Sequence, residues 1–373
     1  MARAPATQDI EVEPESDVLD GFPHPRQTAK LFGHEEAERD FAARLNENKL
    51  HHAWLLTGPP GIGKATLAYK FAKCLLASSD ERQVATGSLE IPDSSQANRQ
   101  VVALSHPGLL VLRRPYERKT KRFLTTIPID EVRRLRSFLS HRAPDAAWRV
   151  VIVDTADDLN VNAANALLKS LEEPPERMIF LLLSSEPGRL LKTIRSRCRK
   201  LELSALSAED LKNATLQAFA AGGEDEPSHN DLEKLLPLAQ GSVRRLISLH
   251  HAGGLELNKK ITDILSKIPS TPWAKVHDLA DQLAPVAAEE KYTLYHELFF
   301  DFLAKIIRHA ATGAGDGPES AIADRLIKPH HLASWAALWE TLAREEAETR
   351  ALNLDRKAFI LGTIQRIEAA ARQ

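Results

Sequence analysis

Apolar residues along this chain follow two periods, and each period predicts its own kind of element. Short runs of consecutive apolar residues are typical of buried strands. They lie at 50–57, 109–112, 149–154, 179–184 and 200–203. Between these runs, apolar residues recur every three or four positions, which predicts helices. These helices cover 35–46, 65–76, 128–139 and 162–173. Strands alternating with helices predict a parallel sheet covered on both faces.

After residue 204 the strand pattern stops and only helical spacing continues. Helices are predicted at 206–220, 231–236, 242–251, 321–326, 331–347 and 355–371, with an apolar stripe from Leu294 to Ile307. Pro237 is expected to end or kink the second of them. The pattern therefore predicts an α/β domain at 26–204, a small helical domain at 205–256 and an all-α domain at 257–373.

Three stretches fit neither period. Residues 1–25 are acidic, contain proline and are poor in large apolar residues, which predicts a flexible tail. Residues 77–105 are polar and aperiodic, so they are expected to form an inserted loop or to be partly disordered. Residues 113–122 form a basic run, which is either a solvated hairpin or a contact for DNA phosphates.

Composition narrows the class of protein. The 373 residues carry a formal net charge of −2, so the chain lacks the overall positive charge that would indicate nucleic acid binding. The two cysteines, Cys74 and Cys198, form no Cys-x-x-Cys motif, which fits a reducing compartment and argues against a disulfide scaffold. No apolar run has the length of a membrane span. A cytoplasmic protein is expected.

A glycine-rich loop lies between the first predicted strand and the following helix. The chain reads Thr-Gly-Pro-Pro-Gly-Ile-Gly-Lys over 57–64. Such a loop turns successive backbone N–H groups toward one point, where the helix dipole adds partial positive charge. Gly58, Gly63 and Lys64 have P-loop spacing, with Lys64 placed to reach the β- and γ-phosphates. A Gly/Pro-rich turn without a ligand is the alternative.

The residue after this lysine departs from the P-loop pattern. A P-loop carries Ser or Thr there, whose hydroxyl binds Mg²⁺, whereas this chain has Ala65. Thr66 comes one residue late and points in another direction around the helix. The loop is therefore expected to cradle phosphate but to be poorly built for hydrolysis.

A second departure follows the strand at 149–154. Four apolar residues and then Asp154 match the Walker-B carboxylate that positions Mg²⁺. Hydrolysing enzymes of this kind usually place a Glu next, and this chain has Thr155. Asp157 and Asp158 are expected to begin the next helix, where acids suit the dipole. Ala65 and Thr155 each replace a residue that nucleotide hydrolysis requires, and together they favour a subunit that does not hydrolyse nucleotide.

Four stretches together carry a resemblance to a known family. They read GPPGIGKAT from residue 58, NALLKSLEEPPE from 165, SSEPGRLLKTIRSRC from 184 and GSVRRLISL from 241. With these motifs the chain resembles the clamp-loader branch of the AAA+ ATPases, which serves bacterial DNA polymerase III. The Ser-Arg-Cys box at 196–198 is the most specific of them. The resemblance implies a P-loop AAA+ domain, a helical lid and an all-α oligomerisation collar.

The resemblance also implies residue roles. In this family the arginine of Ser-Arg-Cys is an arginine finger that reaches the γ-phosphate of ATP in a neighbouring subunit, which assigns that role to Arg197. Without the resemblance, Arg197 would be an ordinary surface arginine. Ser184 or Ser185 corresponds to sensor 1, and Arg244 to sensor 2. The predicted nucleotide contacts are Gly58, Pro59, Gly61, Gly63, Lys64, Ala65, Thr66, Asp154 and Arg244.

Cofactors and partners follow from the same resemblance. ATP is the expected ligand, with Mg²⁺ held weakly or not at all. Many related subunits carry a four-cysteine zinc module after the P-loop helix, but residues 77–105 contain no cysteine, so no zinc or other metal is expected. The implied partners are gamma/tau ATPase subunits, the delta subunit, the sliding clamp and primed DNA.

The predicted function is that of a clamp-loader subunit with no or only weak ATPase activity of its own, donating Arg197 to a neighbour within the DNA polymerase III holoenzyme. The first alternative is an ATP-hydrolysing motor subunit of the gamma/tau type, which Ala65 and Thr155 disfavour. A second alternative is an AAA+ ATPase acting on DNA repair junctions, which the Ser-Arg-Cys box disfavours.

Overall fold

A computed structural model describes residues 14–82, 89–140, 147–315 and 317–372. The chain forms two compact units. The first ends at Glu226 and also contains Gln240–Arg244, and the second consists of Pro227–Ala239 and the chain from Arg245 onward. The predicted domain boundaries after residues 25, 204 and 256 stay predictions. None of the described helices is long and apolar enough to cross a membrane.

A parallel sheet forms the centre of the first unit. The described strands are β1 (Ala53–Thr57), β2 (Leu109–Arg113), β3 (Tyr116–Glu117), β4 (Arg122–Phe123), β5 (Arg149–Asp154), β6 (Met178–Ser184) and β7 (Arg199–Glu202). Five of them pair in parallel in the order β2-β5-β6-β1-β7. The short strands β3 and β4 form an antiparallel hairpin from the basic run. The predicted parallel sheet is confirmed.

Helices cover both faces of this sheet. The helices of the first unit are α1 (Glu35–Asn46), α2 (Lys64–Leu76), α3 (Gln96–Val102), α4 (Ile129–Ser140), α5 (Val161–Glu172), α6 (Lys192–Arg195) and α7 (Ala208–Gly222). One core contains Phe41 of α1 stacked on Phe71 of α2, with ring centroids 3.7 Å apart. The other contains Leu135 of α4 and Leu167 of α5 against Phe180. Apolar residues on both sides explain why the strands read as continuous apolar runs.

Part of the stretch 77–105 is helical, which corrects the prediction of a structureless insert. Helix α3 begins after Ser95, whose hydroxyl accepts a hydrogen bond from the N–H of Asn98 at 2.9 Å. Its Val101 is fully buried in the core that α2 also lines. A Ser N-cap satisfies one of the free N–H groups of the first turn, which a short helix needs. Residues 83–88 lie outside the described residues.

The prediction of a flexible tail is wrong for the residues we call the N-terminal segment, 14–27. This segment contains a 3-10 turn at Pro25–Gln27 that lies against α2. The Phe22 ring contacts Phe219 edge-on, with ring centroids 5.2 Å apart. The His24 ring contacts Tyr69 in the same way at 5.3 Å. Residues 1–13 of the predicted tail lie outside the described residues.

The second unit is helical in its described residues. Its helices are α8 (His229–Ala239), the greater part of α9 (Val243–His251), α10 (Gly254–Leu265), α11 (Trp273–Leu283), α12 (Glu289–Thr312), α13 (Pro318–Leu326), α14 (Leu332–Ala351) and α15 (Arg356–Ala371). Helix α12 buries the predicted apolar stripe, including Phe299, Phe302 and Ile306. Pro237 lies inside α8, which continues to Ala239 instead of ending at the proline.

Candidate functional site

The glycine-rich loop joins β1 to α2, as predicted. Gly58 has a φ of +146°, and a Cβ atom there would lie 2.3 Å from the carbonyl oxygen of Leu203. Gly63 has a φ of +103° and is the residue before the first turn of α2. Both positions require glycine, because side chains rarely adopt these backbone angles and Gly58 has no room for one. The first N–H groups of α2 therefore face the loop in the manner of a P-loop.

The carbonyl groups of this loop accept hydrogen bonds from the chain itself. The Lys64 ammonium donates to the carbonyl oxygens of Gly58 at 2.7 Å and Pro59 at 2.6 Å. The backbone N–H of Val243 donates to Gly61 at 3.0 Å. The buried His34 ring bonds the carbonyl oxygen of Ile62 at 2.8 Å through Nε2. The loop is thus held in place from three directions.

All three N–H donors of the Lys64 ammonium already have acceptors within the chain. Its third contact is the hydroxyl of Ser185 at 2.9 Å, so three acceptors surround an ammonium group that has three N–H donors. Burial lowers the pKa of Lys64 to about 8, while the carboxylates of Asp154 and Asp157 act in the opposite direction. A phosphate could take these N–H groups only by displacing contacts that already exist.

Asp154 lies at the end of β5, beside Arg113 at the end of β2. Its Oδ2 atom is buried without a hydrogen-bond donor, and its Oδ1 atom is 3.4 Å from the hydroxyl of Thr155. Burial, followed by the neighbouring carboxylate of Asp17, raises the pKa of Asp154 to about 7. The negative charge of Asp17 therefore disfavours a second negative charge on Asp154.

An ion-pair network ties the N-terminal segment to this strand end. Arg113 contacts Glu15 at 2.9 Å and Asp17 at 3.1 Å, and Arg26 also pairs with Glu15. The His24 ring is 2.7 Å from Asp17. Burial alone would raise the pKa of Asp17, but His24 and Arg113 outweigh it and lower the pKa to about 2.

The same network includes the one cluster of potential metal ligands in the described ranges. Ligand atoms of Glu15, Asp17 and His24 all lie within 4.8 Å of one another. The guanidinium groups of Arg26 and Arg113 already neutralise both carboxylates. The negative charges of this cluster are therefore balanced by the two arginines, as in an ion-pair network.

The donor set beside the loop does not fit a Mg²⁺ ion. Ala65, in the first turn of α2, offers no oxygen where a P-loop supplies a hydroxyl, and Thr66 is half-buried one residue further along. Burial and the carboxylate of Asp17 raise the pKa of Asp154 to about 7, so a large fraction of this group is protonated near neutral pH, and a protonated carboxyl group is a poor metal ligand. No chemical step is assigned to Mg²⁺ at this loop.

The two candidate sensor-1 serines have different partners. Ser185 contacts Lys64, whereas the Ser184 hydroxyl donates to Asp157 at 2.6 Å. Asp157 also accepts from the backbone N–H groups of Ser185 at 2.6 Å and Glu186 at 3.2 Å. Asp157 was expected at a helix start. It lies in a 3-10 turn instead and fixes the end of β6 beside the loop.

Arg244 lies close to the glycine-rich loop. A Cβ atom at Gly61 would be 2.3 Å from the hydroxyl of Ser242 and 2.6 Å from the Cβ of Arg244. Among the described residues the guanidinium of Arg244 has no hydrogen-bond partner, and the residue is exposed. Arg244 thus lies beside the loop, and its predicted contact with phosphate stays a prediction.

Arg197 lies away from the loop, just after α6. Its Nη1 donates to the carbonyl oxygen of Thr193 at 3.0 Å, and its Nη2 lies 2.7 Å from Oε1 of Glu172. Its side chain is 35% exposed. The neighbouring Cys198 is partly buried, and burial raises the pKa of its thiol to about 12, so it is not a reactive thiolate.

Comparisons with known proteins identify relatives of this chain. A family model described as "DNA polymerase III, delta subunit" matches residues 33–207. The subunit delta′ of DNA polymerase III from Pseudomonas aeruginosa is 35% identical over 266 residues, covering 71% of this chain and 74% of that protein. Subunit gamma from Buchnera aphidicola of Schizaphis graminum is 28% identical, covering 67% of this chain and 66% of its own length. A solved gamma subunit-related protein from Thermotoga maritima is 17% identical, with a TM-score of 0.40 and coverage of 91% and 100%.

The family match spans the features that the site is built from. Residues 33–207 include the glycine-rich loop, Asp154 and the Ser-Arg-Cys box. The identity and coverage of the Pseudomonas protein establish common family membership. This chain therefore belongs to the delta-prime family of DNA polymerase III clamp-loader subunits.

Proposed function

We propose that this chain is a clamp-loader subunit that hydrolyses no ATP itself and supplies Arg197 as an arginine finger to a neighbouring ATPase subunit. Its neighbours would be gamma/tau ATPase and delta subunits, and the assembly would open the sliding clamp for loading onto primed DNA. The proposal that this subunit does not hydrolyse ATP rests on one observation: all three N–H donors of Lys64 already bond acceptors of its own chain.

The state of the metal ligands supports the same proposal. Ala65 supplies no hydroxyl, and burial beside Asp17 raises the pKa of Asp154 to about 7, which weakens this carboxyl group as a metal ligand. The N-terminus of α2 still offers backbone N–H groups suited to a phosphate. We therefore propose that any ATP bound here is held without a tightly bound Mg²⁺ and is not turned over.

Arg197 has the chemistry that the donated role requires. A guanidinium stays charged at every physiological pH and can bind two phosphate oxygens at once. Such a group, provided by a neighbouring subunit, accelerates phosphoryl transfer by about 10³-fold or more. The exposed side chain of Arg197 is accessible to a second subunit.

The test uses an assembly in which Arg197 is the only arginine finger. The gamma/tau subunits would have the arginine of their own Ser-Arg-Cys box replaced by alanine. We expect Arg197→Ala to lower the remaining ATPase kcat by about 10³-fold. Arg189→Ala is the matched control, because Arg189 is also an exposed, ion-paired arginine close to α6. Lys64→Ala should leave the rate almost unchanged. Turnover by the chain alone that Lys64→Ala abolishes would instead identify a motor subunit.

A further inference from the structure

Arg197 and Glu172 meet at the ends of two elements whose backbones are firmly anchored. Glu172 is the last residue of α5 and follows Leu171, which is 1% exposed. Arg197 follows Ile194, which is fully buried. Leu171 and Ile194 belong to the same apolar core. The positions of both charged side chains are therefore set by a rigid part of the fold.

The two contacts of Arg197 use different nitrogen atoms of its guanidinium. Nη2 lies 2.7 Å from Oε1 of Glu172, and Nη1 donates to the carbonyl oxygen of Thr193 at 3.0 Å. A guanidinium has five N–H groups, so three remain after these contacts within the described chain. One side of the planar group is thus held by its own subunit while the remaining N–H groups stay available.

We propose that Glu172 is a positioning residue for the arginine finger, an inference that rests on the proposed function of Arg197. A free arginine side chain samples many rotamers, and fixing it before the reaction removes that entropy cost from the barrier. Glu172 also has a side chain 48% exposed, so its ion pair contributes little to folding. Its main effect is on where the guanidinium lies.

The chain provides a matched control next to Glu172. Glu173 has the same side chain, is exposed, and has no ion-pair or hydrogen-bond partner through its carboxylate among the described residues. Replacing either glutamate removes one negative charge at nearly the same place. A difference between the two variants therefore reports the contact with Arg197 and not the local charge.

The experiment measures ATPase kcat and KM in the assembly whose only arginine finger is Arg197. We expect Glu172→Ala to lower kcat by about tenfold without changing KM for ATP, because ATP binds to the neighbouring subunit. Glu172→Gln keeps a hydrogen-bond acceptor and should restore part of the loss. Glu173→Ala should match the wild type. The double variant Glu172→Ala with Arg197→Ala should be no slower than Arg197→Ala alone.

Four results would overturn the proposal. The first is a kcat for Glu172→Ala equal to that of the wild type while Arg197→Ala is inactive. The second is an increase in kcat, which would mean that Glu172 competes with phosphate for the guanidinium. The third is a further loss from Glu172→Ala when Arg197 is already absent. In each of these cases the finger role of Arg197 would stand. The fourth, an unchanged rate for Arg197→Ala itself, would overturn both proposals.

Discussion

Two cationic side chains of the α/β unit, Lys64 and Arg197, differ in burial and in how many of their N–H donors are already hydrogen-bonded. Lys64 is 7% exposed, and its ammonium contacts the carbonyl oxygens of Gly58 and Pro59 and the hydroxyl of Ser185. The Arg197 side chain is 35% exposed and uses two of its five N–H groups within the described chain. One cation is directed into its own subunit, and the other is directed outward.

This difference indicates where the chemistry of the chain is performed. A donor that already has acceptors must give them up before it can bind phosphate, and breaking each of these hydrogen bonds costs about 1 kcal/mol. Arg197 keeps free N–H groups and has no such cost. Under the proposed function, the inward site serves mainly the structure of the subunit and the outward site serves a neighbour. The predictions below test this contrast from the largest expected effect to the smallest.

The outward site should require the guanidinium group and not only its charge. Arg197→Lys keeps the positive charge but loses the planar fork that contacts Glu172 and phosphate together. We expect the ATPase kcat of the neighbouring subunit to fall by about a hundredfold or more. Arg189→Lys is the control and should have no effect. A fall smaller than about tenfold would show that charge alone is sufficient.

The inward site should tolerate a neutral residue at the Walker-B position. The pKa of Asp154 is raised to about 7 from an ordinary value of 3.8, so the native state binds more protons than the unfolded chain between these pH values. The free energy of unfolding therefore falls as pH rises from about 4 to 7. Asp154→Asn should remove this loss and be about 1–3 kcal/mol more stable than the wild type at pH 8 in urea unfolding.

Asp158→Asn is the control for this measurement. Burial also raises the pKa of Asp158, but its carboxylate has an ion-pair partner in Arg114 at 3.1 Å. Removing that charge breaks a contact, so no gain in stability is expected. If Asp154→Asn destabilised the chain at pH 8 as well, the carboxylate would be a required anion, and the contrast between the two sites would fail.

A buried histidine in the second unit should give a pH effect of opposite sign. His296 lies among the rings of Tyr292, Tyr295 and Phe359, and neither ring nitrogen has a hydrogen-bond partner. Burial, with a smaller contribution from nearby arginines, lowers its pKa from 6.5 to about 3. The unfolded chain binds the proton more readily, so stability rises with pH between about 3 and 6.5.

His296→Phe should remove this second slope and leave the unit about 1 kcal/mol more stable near pH 5, since an apolar ring suits the surrounding aromatic side chains. Urea unfolding between pH 4 and 8 in this background isolates the contribution of Asp154. An unchanged slope after His296→Phe would show that the imidazole is solvated or paired.

The sequence analysis predicted the features that depend on local pattern. The parallel sheet follows from apolar runs separated by helical spacing, and the loop conformation follows from glycine at positions 58 and 63. Helix α3 was missed because seven residues carry too little periodicity, although Ser95 followed by Asn98 is consistent with an N-cap.

The contacts that define the site could not be predicted in the same way. Lys64 and Ser185 are 121 residues apart, and Asp17 and Arg113 are 96 residues apart. Sequence spacing carries no signal for such pairs. The acidic residues of the N-terminal segment resembled a solvated tail because their arginine partners come from a distant strand end.

The N-terminal segment limits how far this unit can be shortened. The family match begins at residue 33, so a shortened protein chosen from it would omit Glu15 and Asp17. Arg113 would then lose both of its ion-pair partners, and the carboxyl group of Asp154 would lose its neighbour. The smallest autonomous folding unit is therefore larger than the region that carries the chemistry, and its stability depends on residues that no motif contains.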